Sequence, residues 1–150
     1  MHIERLCYPN PWPEVLFRGH LGEDGFLVCE LDERVIAYII IGLKIPTLFQ
    51  RLEKRTRALA GQQIDMNEQT GHLMNIAVDP AHRGKGIATT LIERGINYLK
   101  SLEADSVELE VRRTNVAAIR LYENLGFKIV RSARKYYQDG EDALIMSKKL

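Results

Sequence analysis

The sequence predicts one α/β domain with a mixed sheet flanked by helices, and three observations predict it. Strand patterns at His72 to Val78 and at Ser106 to Arg112 enclose a helical pattern that begins at Ile87. This βαβ unit makes its two strands parallel. A polar turn, Leu31-Asp32-Glu33-Arg34, joins two apolar runs as an antiparallel hairpin. A last pair of strand patterns brackets the loop around Asp139-Gly140. The 150 residues suffice for one sizeable core.

Charge and composition exclude several classes. A net charge of +1 gives no electrostatic case for nucleic acid as a partner. No apolar run reaches membrane-spanning length and the N-terminus has no signal-peptide pattern, so a cytoplasmic protein without a membrane partner is expected. Cys7 and Cys29 lack metal-ligand spacing; they are expected as free thiols, and no metal is expected.

His2 to Cys7 is short and reads as the end of a helix. Tyr8-Pro9-Asn10-Pro11-Trp12-Pro13 is irregular, because three alternate prolines block helix and sheet alike. Trp12 serves either a packed loop or a substrate-contacting one. Pro13-Glu14 opens a short helix through Val15, Leu16 and Phe17. Gly25 to Glu30 and Val35 to Leu43 are the hairpin strands. The second is apolar on both faces, as a covered strand should be.

Residues 44–71 are the least legible. Leu48, Leu52, Arg55 and Leu59 fall at helical spacing with Phe49 beside them, and Gly61 is a plausible stop. Arg51, Lys54, Arg55 and Arg57 make the segment basic, either a solvated face or a guide for an acidic partner.

Ile76, Ala77 and Val78 suit a buried strand, which Asp79-Pro80 ends. Ala88, Leu91, Ile92, Ile96, Leu99 and Leu102 repeat at helical spacing and pack one face on the sheet. From 106 to 112 the strand alternates, with Val107, Leu109 and Val111 on one face and Glu108, Glu110 and Arg112 on the other. Asn115 stands where an N-cap belongs, and Gly126 ends the helix through Ala118, Leu121, Tyr122 and Leu125. Phe127 to Arg131 and Ala143 to Ser147 complete the sheet.

The stretch Asn75 to Ala88, NIAVDPAHRGKGIA, carries the strongest functional signal. Two glycines lead into a helix whose first N–H groups are free, which attracts an anion, and Arg83 and Lys85 add positive charge. The bland alternative is a plain tight turn. Neither a P-loop nor a GxGxxG fingerprint is present.

Other residues read two ways. Glu110 is a solvent-facing sheet residue or, on a covered face, a general base. His72 is structural or catalytic. Tyr122 lies on an apolar stripe, where its hydroxyl still needs a partner. Asn115 is a cap or a ligand contact, and Tyr136-Tyr137 are cross-strand aromatics or part of a site.

The C-terminal half resembles the GNAT (GCN5-related) N-acetyltransferases. More closely, it is similar to the RimI-type ribosomal-protein alanine N-acetyltransferases and the archaeal N-alpha-acetyltransferases. The shared pieces are Asn75 to Pro80, Arg83 to Ala88, Leu109-Glu-Val-Arg112, Asn115, Leu121 to Phe127 and Tyr136 to Ala143.

The resemblance implies a GNAT fold over residues 1–150, with the parallel pair splayed between the strands of Ile76 and Leu109. It implies acetyl-CoA as cosubstrate and direct transfer to the α-amine of a protein or peptide. Ile76, Ala77 and Val78 would pair with the pantetheine arm. Arg83, Gly84, Lys85, Gly86, Ile87, Ala88 and Thr89 would hold the pyrophosphate, and Asn115 would contact pantetheine. Glu110 matches the general base, Tyr122 the general acid, and His72 a histidine that works with the glutamate through water. Pro9, Asn10, Trp12, Tyr136 and Tyr137 match the walls around the substrate N-terminus. Partners would be protein or peptide N-termini, ribosomal or nascent chains among them, met by a monomer or weak dimer. A lysine or small-amine acetyltransferase and a non-catalytic CoA-binding module are the alternatives.

Two departures stand out. The family opens with a strand and a full helix, whereas about seven residues precede the Tyr8-Pro9 loop here: either the chain as given starts late, or the first strand is missing and an exposed sheet edge is expected. The archaeal relatives carry an acidic residue where Asn10 lies. Neighbouring strands lie roughly 4.8 Å apart, so His72 and Glu110 are expected to flank one pocket with a water between them. Partial burial is expected to raise the pKa of Glu110.

Overall fold

The structure, a computed structural model, describes residues 1–45, 52, 55, 56, 58–61 and 68–150. Leu48, Phe49, Arg51, Lys54 and Arg57 of the expected basic helix lie outside the described residues. Within the same connection, Ala60 N–H donates to Thr56 C=O at 3.0 Å and Gly61 takes φ +80°, as a helical turn and its stop require.

Chain order runs α1 (His2–Cys7), α2 (Glu14–His20), β1 (Phe26–Leu31), β2 (Arg34–Leu43), β3 (Thr70–Val78), a 3-10 turn (Pro80–His82), α3 (Ile87–Ser101), β4 (Ser106–Arg112), α4 (Val116–Asn124), β5 (Lys128–Ala133) and β6 (Ala143–Lys149). The six strands form one sheet in the order β1-β2-β3-β4-β6-β5. Among the described residues only β3 and β4 pair in parallel. The sheet is therefore mixed and mainly antiparallel, as the sequence predicts.

The hairpin turn is tighter than the four-residue reading. Leu31 pairs with Arg34, and Asp32 and Glu33 alone make the turn, both at positive φ. Left-handed backbone costs a non-glycine residue about 1–2 kcal/mol, but this mirror-image turn matches the twist of its strands. Several strands run one or two residues past their predicted ends, because pairing with a neighbour extends a ladder beyond the local pattern.

The alternation in β4 is realised. Val107, Leu109 and Val111 are buried against α3 and α4, in a core with Ile39, Ile41, Leu73, Ile92, Leu99, Phe127 and Met146. The opposite face carries a smaller core of Ile3, Phe17, Tyr38, Ile40 and Ala77 beneath α1 and α2. Met74 is an extra residue on β3, since Ile40 opposes Asn75 and Ile41 opposes Leu73. Such a bulge bends the strand and re-aims the residues after it.

The bend matters at the parallel pair. Pairing of β3 with β4 runs only from Thr70–Ser106 to Leu73–Leu109. Beyond it, β3 stays with β2 as far as Val78, and β4 stays with β6 as far as Arg112. The two strands diverge and leave a cleft between the end of β3 and the end of β4. The strand edge, the glycine loop and the outward face of β4 all border that cleft.

Candidate active site

The β3 wall of the cleft is a backbone edge. In an antiparallel pair each residue sends its N–H and C=O to the same side. Asp79 N–H bonds to Ile36 C=O at 2.8 Å, so Asp79 and Ala77 face β2 while Ile76 and Val78 face the cleft. The Tyr8 hydroxyl donates to Ile76 C=O. Val78 C=O accepts from the Cys7 thiol at 3.3 Å and from Arg83 Nε at 3.2 Å. Arg83 is thus turned back onto the strand and Cys7, with Nη2 3.2 Å from Cys7 Sγ.

The loop after β3 has the geometry of an anion cradle. Gly84 and Gly86 take φ +76° and +77°, and a Cβ built on either meets nothing within 4 Å, so the space before the loop is open. The first intrahelical bond of α3 runs from Thr90 N–H to Gly86 C=O at 3.0 Å. The N–H groups of Ile87, Ala88 and Thr89 precede it and stay available. Lys85 is exposed beside them. Open space, glycine conformation and a free helix N-terminus together suit a pyrophosphate. Asn115 caps α4, its side-chain oxygen accepting from Ala118 N–H at 3.1 Å.

The titratable groups come from both strands, His72 from β3 and Glu110 from β4. His72 lies opposite Glu108 in the parallel register, one step diagonal from Glu110. His72 Nε2 meets Glu110 Oε2 at 2.6 Å. The side chains are 25% and 15% exposed, so the contact is largely shielded from water. The expected water-filled gap between them is closed by a direct hydrogen bond.

The pKa expectation is also corrected. Burial alone pushes the Glu110 carboxyl up, but the hydrogen bond and charge of His72, with Lys44 and Arg131 nearby, outweigh it and hold Glu110 below its ordinary value. An ionised carboxylate only accepts, so Nε2 of His72 carries the hydrogen. Glu110 Oε1 makes no hydrogen bond to any described residue.

Tyr122 is 6% exposed and packs edge-on to Phe127. Burial first, and then Tyr137, raise its hydroxyl pKa, so it keeps its proton at any physiological pH. The charge that Tyr122 would carry also raises the Tyr8 hydroxyl pKa, after burial, its main cause.

The mouth is clamped by a residue that the sequence pattern places on the right face without giving it a role. Arg112 follows Glu110 on the outward face of β4. It bonds Asp139 at 2.8 Å and Glu141 at 2.6 Å and lies 4.0 Å from the Tyr137 ring centroid. Thr114 adds its N–H and hydroxyl to Glu141 at 3.0 and 2.7 Å. These bonds fix the loop that presents Tyr136 and Tyr137, whose rings meet edge-on at 5.2 Å. Burial pushes the Tyr137 hydroxyl up to about 12.

On the opposite lip, Pro9 and Asn10 are exposed. Trp12 instead packs on Phe17, with centroids 5.9 Å apart, and joins the smaller core. Its backbone N–H donates to Glu4 Oε1 at 2.8 Å. Glu4 is 1% exposed and also accepts from the Tyr38 hydroxyl and from the Asn75 amide at 3.4 Å. This buried carboxylate ties α1, the proline loop and the β3 bulge together. No sequence signal marks it beyond an acidic residue beside Ile3 in a short helix.

A groove of about 500 Å³ lies elsewhere, between β1 and the start of α3. It borders Lys85 and Ile87 of the glycine loop but none of His72, Glu110 and Tyr122. The cleft defined by hydrogen-bonding geometry, rather than this groove, holds the titratable groups.

A splayed parallel pair, a strand edge facing the cleft and a glycine loop at a helix start fit an acetyl-CoA-dependent transferase acting on an amine. The sequence signature of the acetyltransferase (GNAT) family matches residues 1–127, and the chain belongs to that family. It is 38% identical to an N-alpha-acetyltransferase of Saccharolobus solfataricus, over 99% of this chain and 84% of that protein. It is 35% identical to a [ribosomal protein bS18]-alanine N-acetyltransferase of Salmonella typhimurium, over 97% of this chain and 85% of that protein. The crystal structure of the ribosomal-protein-S18-alanine N-acetyltransferase from Escherichia coli superposes with a TM-score of 0.70 at 33% identity, covering 99% of this chain and 83% of that one. Among the described residues no helix is long and apolar enough to cross a membrane, and no three His, Cys, Asp or Glu side chains group as a metal site needs.

Proposed function

We propose that this chain acetylates the α-amino group of protein or peptide N-termini. The observation that carries the reading is the direct His72–Glu110 pair, which joins β3 to β4 where the two strands begin to diverge. The proteins it matches at 38% and 35% identity are named for N-terminal acetylation, which supports the same substrate class.

Acetyl-CoA supplies the activated acetyl group. The N–H groups of Gly84 to Thr89 would hold its pyrophosphate, the Ile76–Val78 edge its pantetheine arm, and the Asn115 side-chain amide would add a contact. Tyr8, Cys7 and Arg83 lie on the carbonyls of that edge and must share or yield them.

The substrate amine arrives as an ammonium that loses its proton near pH 8. Glu110, already ionised, accepts through its free Oε1, directly or through one water. His72 holds the carboxylate in place through Nε2. Tyr122 keeps its proton until a thiolate needs one, because burial makes its own ionisation costly. Tyr136 and Tyr137, fixed by Arg112, and the Pro9–Asn10 lip would admit a chain end and turn away a chain middle.

A peptide with a free N-terminus and an internal lysine tests the reading by mass spectrometry. Acetylation at the α-amine is expected. Acetylation mainly at lysine would favour a lysine acetyltransferase instead.

A further inference from the structure

The face of the sheet that carries Glu110 also carries a charge row that the reaction does not use. Glu110 lies opposite Ile145 on β6, and Ile145 lies opposite Arg131 on β5. Directly opposed residues share a face, so Glu110, Ile145 and Arg131 form one line across three strands. Ile145 is 1% exposed, while Arg131 is exposed at the outer end.

Counting charges on this face isolates Arg131. Lys44 pairs with Glu108 at 2.7 Å, His72 with Glu110 at 2.6 Å, and Arg112 with Asp139 and Glu141. Arg131 makes no ion pair with any described residue, yet its charge acts on both Glu110 and Tyr136. Lys128, likewise without an ion pair among the described residues, lies opposite Ser147 in the row of Glu108, further from the cleft mouth. This exposed cation lies on the face of Glu110, two strands away, and its charge also reaches Tyr136.

The spacing says which part of that chain it meets. Two strand steps separate Glu110 from Arg131, roughly 10 Å of backbone. With the α-amine at Glu110, an extended peptide laid along this row toward β5 advances about 3.4 Å per residue. Its second and third side chains therefore come within reach of a long arginine. We infer that Arg131 is a specificity-determining residue that binds a carboxylate at the second or third position of the substrate, so that the favoured N-termini are acidic just behind the first residue. This rests on the N-terminal reading above.

Three peptides alike except at positions two and three, Glu-Glu, Gln-Gln and Lys-Lys, test it by kcat/KM with α-acetylation read by mass spectrometry. The wild type should favour Glu-Glu over Gln-Gln about tenfold, the scale of a charge-assisted hydrogen bond, and less so in high salt. Arg131→Ala should bring that ratio close to one, Arg131→Lys should retain part of it, and Arg131→Glu should reverse it toward Lys-Lys. An influence of Arg131 exerted through Glu110 would change all three peptides alike and leave the ratio intact. A wild-type ratio within twofold, or an unchanged ratio in Arg131→Ala, overturns the inference while the N-terminal activity stands. Acetylation confined to lysine side chains overturns both.

Discussion

Replacing Glu110 with Gln keeps the shape of the side chain and removes its charge, its capacity to take a proton and its ion pair with His72. Losing a general base costs on the order of 10²-fold or more in kcat. The direct 2.6 Å contact adds a sharper expectation. On the proposed mechanism His72 acts through the carboxylate it holds, so His72→Ala should cost about tenfold, and the double variant should be no slower than Glu110→Gln alone. Groups that act as a unit are not additive. KM for acetyl-CoA should stay nearly constant in all three, because neither side chain borders the glycine cradle. The stability effect has a definite sign. The folded Glu110 carboxyl ionises more readily than its unfolded value near 4.3. Its contribution is therefore complete above that value and is lost as pH falls through the lower folded value. Thermal melts of wild type and Glu110→Gln should differ at pH 7 by about 1–2 kcal/mol, the scale of a charge-assisted hydrogen bond discounted for partial exposure. The two melts should converge only in acid, as pH falls through the folded value. Steady-state kinetics with coupled CoA detection, across pH 6 to 9, completes the test. A double variant slower than Glu110→Gln by the full His72 factor would refute the single-unit account, and a wild-type kcat in Glu110→Gln would remove the carboxylate from the reaction.

Three further outcomes are expected. Gly86→Val should weaken CoA binding at least tenfold by calorimetry, since a β-branched residue resists φ +77° and its side chain enters the open space before the helix. Tyr122→Phe should lower kcat by about 10²-fold with CoA affinity retained, and a kcat within twofold of wild type would assign the proton to another donor. Glu4→Ala strands the Tyr38 hydroxyl, the Trp12 N–H and the Asn75 amide in a buried site. The cost should be about 3 kcal/mol or more, read as a fall of about 10 °C in Tm, whereas an unchanged Tm would mean that water replaces the carboxylate.

Features that depend on neighbouring residues are legible in the chain alone. Alternation over residues 106–112 puts Glu108, Glu110 and Arg112 on one face, and the structure keeps them there. Asn115 caps its helix, and the glycines before Ile87 adopt the left-handed backbone that only a few residue types accept readily. Backbone sterics and side-chain periodicity act over a few residues, so they leave their mark in the local pattern. The contacts that set the chemistry are of another kind. His72 meets Glu110 across 38 residues, Glu4 meets Asn75 across 71, and the clamp of Arg112 reaches Asp139 and Glu141. Each depends on strand register and on where β3 leaves β4, which one bulge at Met74 helps to set. The charge of Glu110 shows the difference most clearly. Its burial argues for a raised pKa, and only the assembled sheet, which brings His72, Lys44 and Arg131 around it, turns the shift downward. Electrostatic energy is a sum over neighbours in space, and tertiary structure alone chooses those neighbours.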